Sequence, residues 1–167
     1  MKNSFVSFLT KASNWLSKAG KLTQLLLLLF FRINWGWLFF VTGKGKLLNH
    51  AQVASFFTSL HLPAPEPTAW LVAAVECLGG LLLLFGLATR PVGLILSINM
   101  IVAYLSVEED RNKLLNFFAD QNSFFQADPF FFLLAALMAF AFGGGPLSLD
   151  AILGKIVVRE FDLYKNI

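Results

Sequence analysis

Apolar residues in this chain come in long, nearly unbroken runs set apart by short polar stretches. Four runs stand out, at about 22–42, 68–88, 91–107 and 129–144. Each holds roughly 16 to 21 residues, enough to cross a hydrocarbon core of about 30 Å with little tilt or local thinning. Only Thr89 and Arg90 separate the second run from the third, which predicts a tight antiparallel pair. Pro91 and Pro129 suit the first turns of helices. Gly143-Gly144-Gly145-Pro146 reads as a helix stop, because no lysine follows it at the spacing of a phosphate loop.

Outside the runs the pattern changes. Phe5, Phe8, Leu9, Trp15 and Leu16 are spaced rather than continuous, and Lys2, Lys11, Lys18 and Lys21 lie among them. That suits an amphipathic helix on a membrane surface and not a cleavable signal peptide. Val53, Phe56, Phe57 and Leu60 form a helical stripe that ends at the prolines of 63–67. Residues 108–128 carry Leu114, Leu115, Phe117, Phe118, Phe124 and Phe125, so both larger loops are too apolar to be plain solvated connectors. Glu108-Glu109-Asp110 is expected to be a solvated patch, and Asp128 a cap for the fourth run. Ser148 can cap a helix with Leu149, Ile152, Leu153, Ile156 and Val157 on one side.

The expected fold is all-α: an integral membrane four-helix bundle with amphipathic interfacial helices at the N-terminus, in the first outer loop and at the C-terminus. The expected organisation is an interfacial helix over 1–21, a four-span domain over 22–146 and an amphipathic cytoplasmic tail over 147–167.

Composition agrees. Of 167 residues, 57% are hydrophobic and 14% charged, against about 25% charged in a soluble domain. Mean hydropathy is +0.68. Disorder needs the opposite balance. The single cysteine, Cys77, excludes an intramolecular disulfide, a CxxC redox pair and a multi-cysteine metal site. It reads as a small buried filler. His50 and His61 are eleven residues apart, about 16 Å of helix rise and too far to share a metal, so no metal site is expected.

The net charge of +3 gives orientation rather than a nucleic-acid partner. Eight Lys and Arg fall on the side that holds both tails and the Thr89–Arg90 turn, and four (Lys44, Lys46, Arg111, Lys113) on the other. This predicts cytoplasmic termini in a multi-pass protein of the bacterial inner membrane.

Of 23 charged residues, only Arg32 and Glu76 fall inside the runs. Counted from the run ends, both lie near mid-depth, as does Asn99. A charge at that depth costs roughly 2.5 to 3.5 kcal/mol unless partnered, so these groups should face the interior. Gly36 lies one turn from Arg32, and Ala69, Ala73, Gly79 and Gly80 lie around Glu76, where small residues let helices approach. The expectation is a buried Arg32–Glu76 ion pair with Asn99 as its hydrogen-bond partner. Such a pair either works on a ligand or proton or merely fixes packing.

Several segments together resemble the DoxX family. They are Arg32 and Gly36 in the first run, Gly-Lys-Gly-Lys-Leu at 43–47 and Glu76-Cys-Leu-Gly-Gly. Leu-Leu-Leu-Leu-Phe-Gly-Leu-Ala-Thr-Arg at 81–90, Met100 with Ala103, and Gly145-Pro146-Leu-Ser-Leu-Asp150 complete the pattern. The resemblance covers about residues 25–153. The stretch 118–132 is similar to a branch found near copper-stress and modified-peptide gene clusters. The resemblance implies a four-helix inner-membrane protein linked to oxidative-stress complexes, thiol or sulfur oxidation and, through the related DoxD proteins, thiosulfate:quinone oxidoreductase. No intrinsic redox centre is legible, so a borrowed carrier, a membrane quinone, is the implied cofactor, its head group bound by Arg32, Glu76 and Asn99, with Glu76 as candidate proton site.

Three readings stay open. The first is a quinone-linked redox subunit working with protein partners, the second a non-catalytic scaffold or lipid-binding subunit, alone or as a homo-oligomer, and the third a small transporter.

Overall fold

The computed structural model describes residues 2–118 and 120–156, with side chains from residue 10 onward. Every regular element among them is helical. In chain order these are α1 (Lys2–Leu48), α2 (His50–Ser59), α3 (Pro65–Phe85) and α4 (Thr89–Ser106), followed by α5 (Glu108–Leu115), α6 (Gln121–Phe125) and α7 (Pro129–Phe142). Residues 149–156 are also helical. The α1, α3 and α4 helices are long and apolar enough to cross a membrane, whereas α7 is a shorter apolar helix.

α1 is the main departure from the sequence reading. It runs unbroken for 47 residues, about 70 Å, through the boundary expected at 21/22 and past the end expected at Thr42. Gly43 and Gly45 do not stop it, although a helical glycine costs about 1 kcal/mol relative to alanine. Packing explains Gly43. A Cβ there would collide with the backbone of Cys77 on α3, so only glycine permits the approach. Gly36 lies likewise against Leu84, and Gly80 against Phe40. These contacts set one antiparallel register, in which each step toward the end of α1 retreats one residue along α3.

Gly86, at φ 69°, closes α3 in the left-handed region, and its N–H bonds back to Leu83. The α3–α4 link is therefore Gly86-Leu87-Ala88, and Thr89 and Arg90 belong to the first turn of α4. Gly93 brings α4 onto the α7 backbone at Ala136 and Phe140. The core of Phe39, Leu83, Val92, Leu96, Met100 and Ala136 fills the space among α1, α3, α4 and α7.

The chain between α4 and α7 also differs from expectation. Glu108, Glu109 and Asp110 form the first turn of α5, where acidic side chains complement the helix dipole, and Lys113 pairs with Glu109 and Asp110. Asp128 stands at the N-cap of α7 with right-handed helical backbone angles, and its side chain makes no capping bond. Phe117, Phe124, Phe125 and Phe130 pack edge to face in one cluster.

Candidate functional site

Three helices deliver polar side chains to one point in this core. Glu76, from the middle of α3, is 1% exposed. Its Oε1 accepts a hydrogen bond from Lys46 Nζ at 2.5 Å and another from Asn99 Nδ2 at 3.1 Å. Lys46 comes from the last turn of α1 and Asn99 from α4. The other carboxylate oxygen, Oε2, is buried and has no hydrogen-bond partner among the described residues.

The local chain explains the convergence. Gly43 removes the side chain that would hold α1 away from Glu76 and Cys77. Lys46, one turn further on, then lies close enough for its ammonium to reach the carboxylate. Its side chain is 33% exposed, so the pair joins a dry carboxylate to a half-solvated ammonium. Ala69 and Ala73 continue the small-residue face of α3 on one side of Glu76. Gly79, whose absent side chain makes room for Leu96 of α4, continues it on the other.

Arg32 is elsewhere. The register set by Gly36, Phe40 and Gly43 places it opposite residue 88, twelve residues from Glu76 and ~18 Å along the axis. The expected Arg32–Glu76 ion pair does not form. Arg32 Nη1 donates to the Gly144 carbonyl and Nη2 to the Leu147 carbonyl, both at 2.7 Å. Depth along the apolar run does not set this register, because the run begins well outside the packed body, with Leu22, Leu26 and Leu27 exposed.

The Arg32 end forms a structural knot. Asp150 accepts hydrogen bonds from the N–H groups of Ala88 at 2.6 Å and Thr89 at 2.8 Å, which caps α4 from a distant part of the chain. Its own N–H donates to the Gly86 carbonyl. Ser148 Oγ accepts from the Ala151 N–H and so caps residues 149–156. Burial works against ionisation of Asp150, but the bonds from Thr89 and Ala88 and the Arg32 charge outweigh it. The carboxyl is held below the ordinary carboxylate range.

The remaining candidates fall into place as packing. Cys77 is half-buried where α1 crosses it. His50 opens α2, stacks on Trp70 with ring centres 4.3 Å apart and bonds to the Glu66 carbonyl through Nε2. It ties α2 to the start of α3. His61, at φ 55°, sits in the turn that follows α2.

The fold and this site define an all-helical protein of membrane type with a polar centre in its core. Residues 27–109, just under half of the chain, match the DoxX family model. The matched stretch contains Arg32, Lys46, Glu76 and Asn99, together with the glycines that pack them. The chain is also similar to a Bacillus subtilis (strain 168) protein carrying the name "Putative oxidoreductase CatD", with 39% identity over 80 residues. That match covers 48% of this chain and 58% of the Bacillus protein, little more than half its length. No solved structure matches the chain.

Proposed function

We propose that this protein is a redox-associated subunit of the bacterial inner membrane. In this reading α1, α3, α4 and α7 form a four-helix membrane bundle with both termini cytoplasmic. It holds a quinone or similar apolar ligand at Glu76 and supports thiol or sulfur oxidation, or defence against oxidative or metal stress, with protein partners. One observation carries the reading. Glu76 Oε2 is a buried acceptor without a donor among the described residues. A buried carboxylate oxygen left unpaired is costly, so the site favours a ligand that brings a hydroxyl or N–H to it. The name of the Bacillus relative points in the same direction.

A quinone supplies paired electron and proton exchange when bound. Glu76 accepts a hydrogen bond through Oε2 and holds a proton there. Lys46 pairs with the carboxylate through Oε1, and Asn99 fixes Oε1 so that Oε2 faces the ligand. The half-exposed Lys46 gives protons a route between Glu76 and the surface. Quinone content of protein extracted gently in native lipid tests the reading. The expected result is bound quinone in the unaltered chain and its loss in Glu76→Gln; no quinone in either would contradict it.

A scaffold role is the second reading. It is favoured by Leu115 and Phe118, which are 74% and 94% exposed beside the α5–α6 aromatic cluster. Such side chains suit contact with a partner protein.

A further inference from the structure

The knot at Arg32 leaves two buried groups without a partner among the described residues, Arg32 Nε and Thr89 Oγ1. Both terminal nitrogens of the guanidinium are taken by carbonyls, but Nε is buried and meets no acceptor among the described residues. Beside it lies a cavity of about 20 Å³. Its walls include Leu28, Phe31 and Trp35 of α1 and Met138 and Ala139 of α7, and Thr89 lies at its base. These five wall residues are all partly exposed, so the cleft gives onto the outside of the helices, where lipid lies in a membrane.

Nε–H of an arginine is a permanent donor, so the complement is an oxygen acceptor, and the charge favours an anionic one. The apolar walls favour an acceptor that carries hydrocarbon. A cation also lies near the mouth, where Arg90 reaches the Gly143 backbone.

We propose that this cleft binds an anionic membrane phospholipid. One phosphate oxygen accepts from Arg32 Nε–H, the acyl chains lie along Phe31, Trp35 and Met138, and Arg90 lies beside the headgroup. A cavity of this size admits a single oxygen, so the rest of the phosphate sits at the mouth. The site is separate from Glu76 and does not depend on what binds there.

The test uses the full chain in mild detergent with phosphatidylglycerol, phosphatidylcholine or inorganic phosphate, read by native mass spectrometry and thermal unfolding. Phosphatidylglycerol should be retained one per chain and raise Tm, and phosphatidylcholine should bind roughly ten-fold more weakly. Ala139→Leu fills the cavity and spares the carbonyl bonds of Arg32. It should keep the helical circular dichroism and lose the phosphatidylglycerol effect. Arg90→Ala should lower the preference for phosphatidylglycerol by roughly five-fold. Equal retention of the two lipids, or undiminished retention in a folded Ala139→Leu, would overturn the proposal. So would an equal Tm shift from inorganic phosphate alone. Retention of neither lipid would also overturn it and assign the cavity to a water molecule.

Discussion

Glu76 keeps a carboxylate in an apolar core because two donors share one of its oxygens, and the two ends of its ion pair are unequally placed. Lys46 is partly solvated and can swing outward, whereas Glu76 cannot. The two single variants should therefore differ. Lys46→Met strands a buried carboxylate and should cost roughly 3 kcal/mol. Glu76→Gln leaves only an ammonium that can find water and should cost about 1 kcal/mol. The double variant should cost less than the two together, since the interaction is lost only once. Reversible unfolding in detergent measures all three. Glu76 and Asn99 were legible in the sequence as polar residues inside apolar runs. Lys46 was not, because it lies beyond the end of the first apolar run at 42, among residues that read as an outer loop. The signal that marks it is Gly43, a small residue one turn before a lysine, which lets that lysine approach a neighbouring helix. The partners of Arg32 were not legible at all, since backbone carbonyls leave no mark in a sequence.

Among the elements, α1 and α3 are joined by backbone contact at Gly36, Gly43 and Gly80. Gly43→Val would force its side chain into the Cys77 backbone, which cannot yield as a flexible side chain can. The expected loss is about 3 kcal/mol. Gly45→Ala meets open space and removes a helix-breaking residue, so it should stabilise by roughly 0.5 to 1 kcal/mol. Thermal unfolding of the two variants separates packing from propensity. The cap that Asp150 places on α4 gives a pH dependence. Its folded carboxyl titrates below its ordinary value, so its stabilisation is present above the ordinary carboxylate range. It fades as pH falls through the lower, folded value. Asp150→Ala should lose roughly 1 kcal/mol at neutral pH and flatten the acid limb of the stability profile. The sequence showed that helices exist here, from run length and proline position. It did not show that an aspartate after the last apolar run caps a helix some sixty residues earlier, because that contact is purely tertiary.

Across the whole molecule, α1 is the outlying feature. Its packed part faces α3 between about Arg32 and Leu48, while Trp15, Leu16, Leu22, Leu26 and Phe30 further back remain exposed. Burial rather than helicity holds a fold together, so removing residues 2–20 should leave the unfolding midpoint nearly unchanged. A drop of more than a few degrees would show that this half of α1 is packed in solution. The all-helical class and the apolar helices followed from composition and periodicity. The position of the site did not, because depth was counted from apolar run ends when packing register sets it.

The central claim is that Glu76, with Lys46 and Asn99 and without Arg32, forms the ligand site. Titrating a short-chain hydroquinone into the purified protein in nanodiscs, by isothermal calorimetry, tests it most directly. The account predicts saturable binding in the unaltered chain, its loss in Glu76→Gln, weakening in Asn99→Ala, and no change in Ala139→Leu, which alters only the Arg32 cleft. Binding that survives Glu76→Gln but disappears in Ala139→Leu would place the ligand at Arg32 and contradict the account.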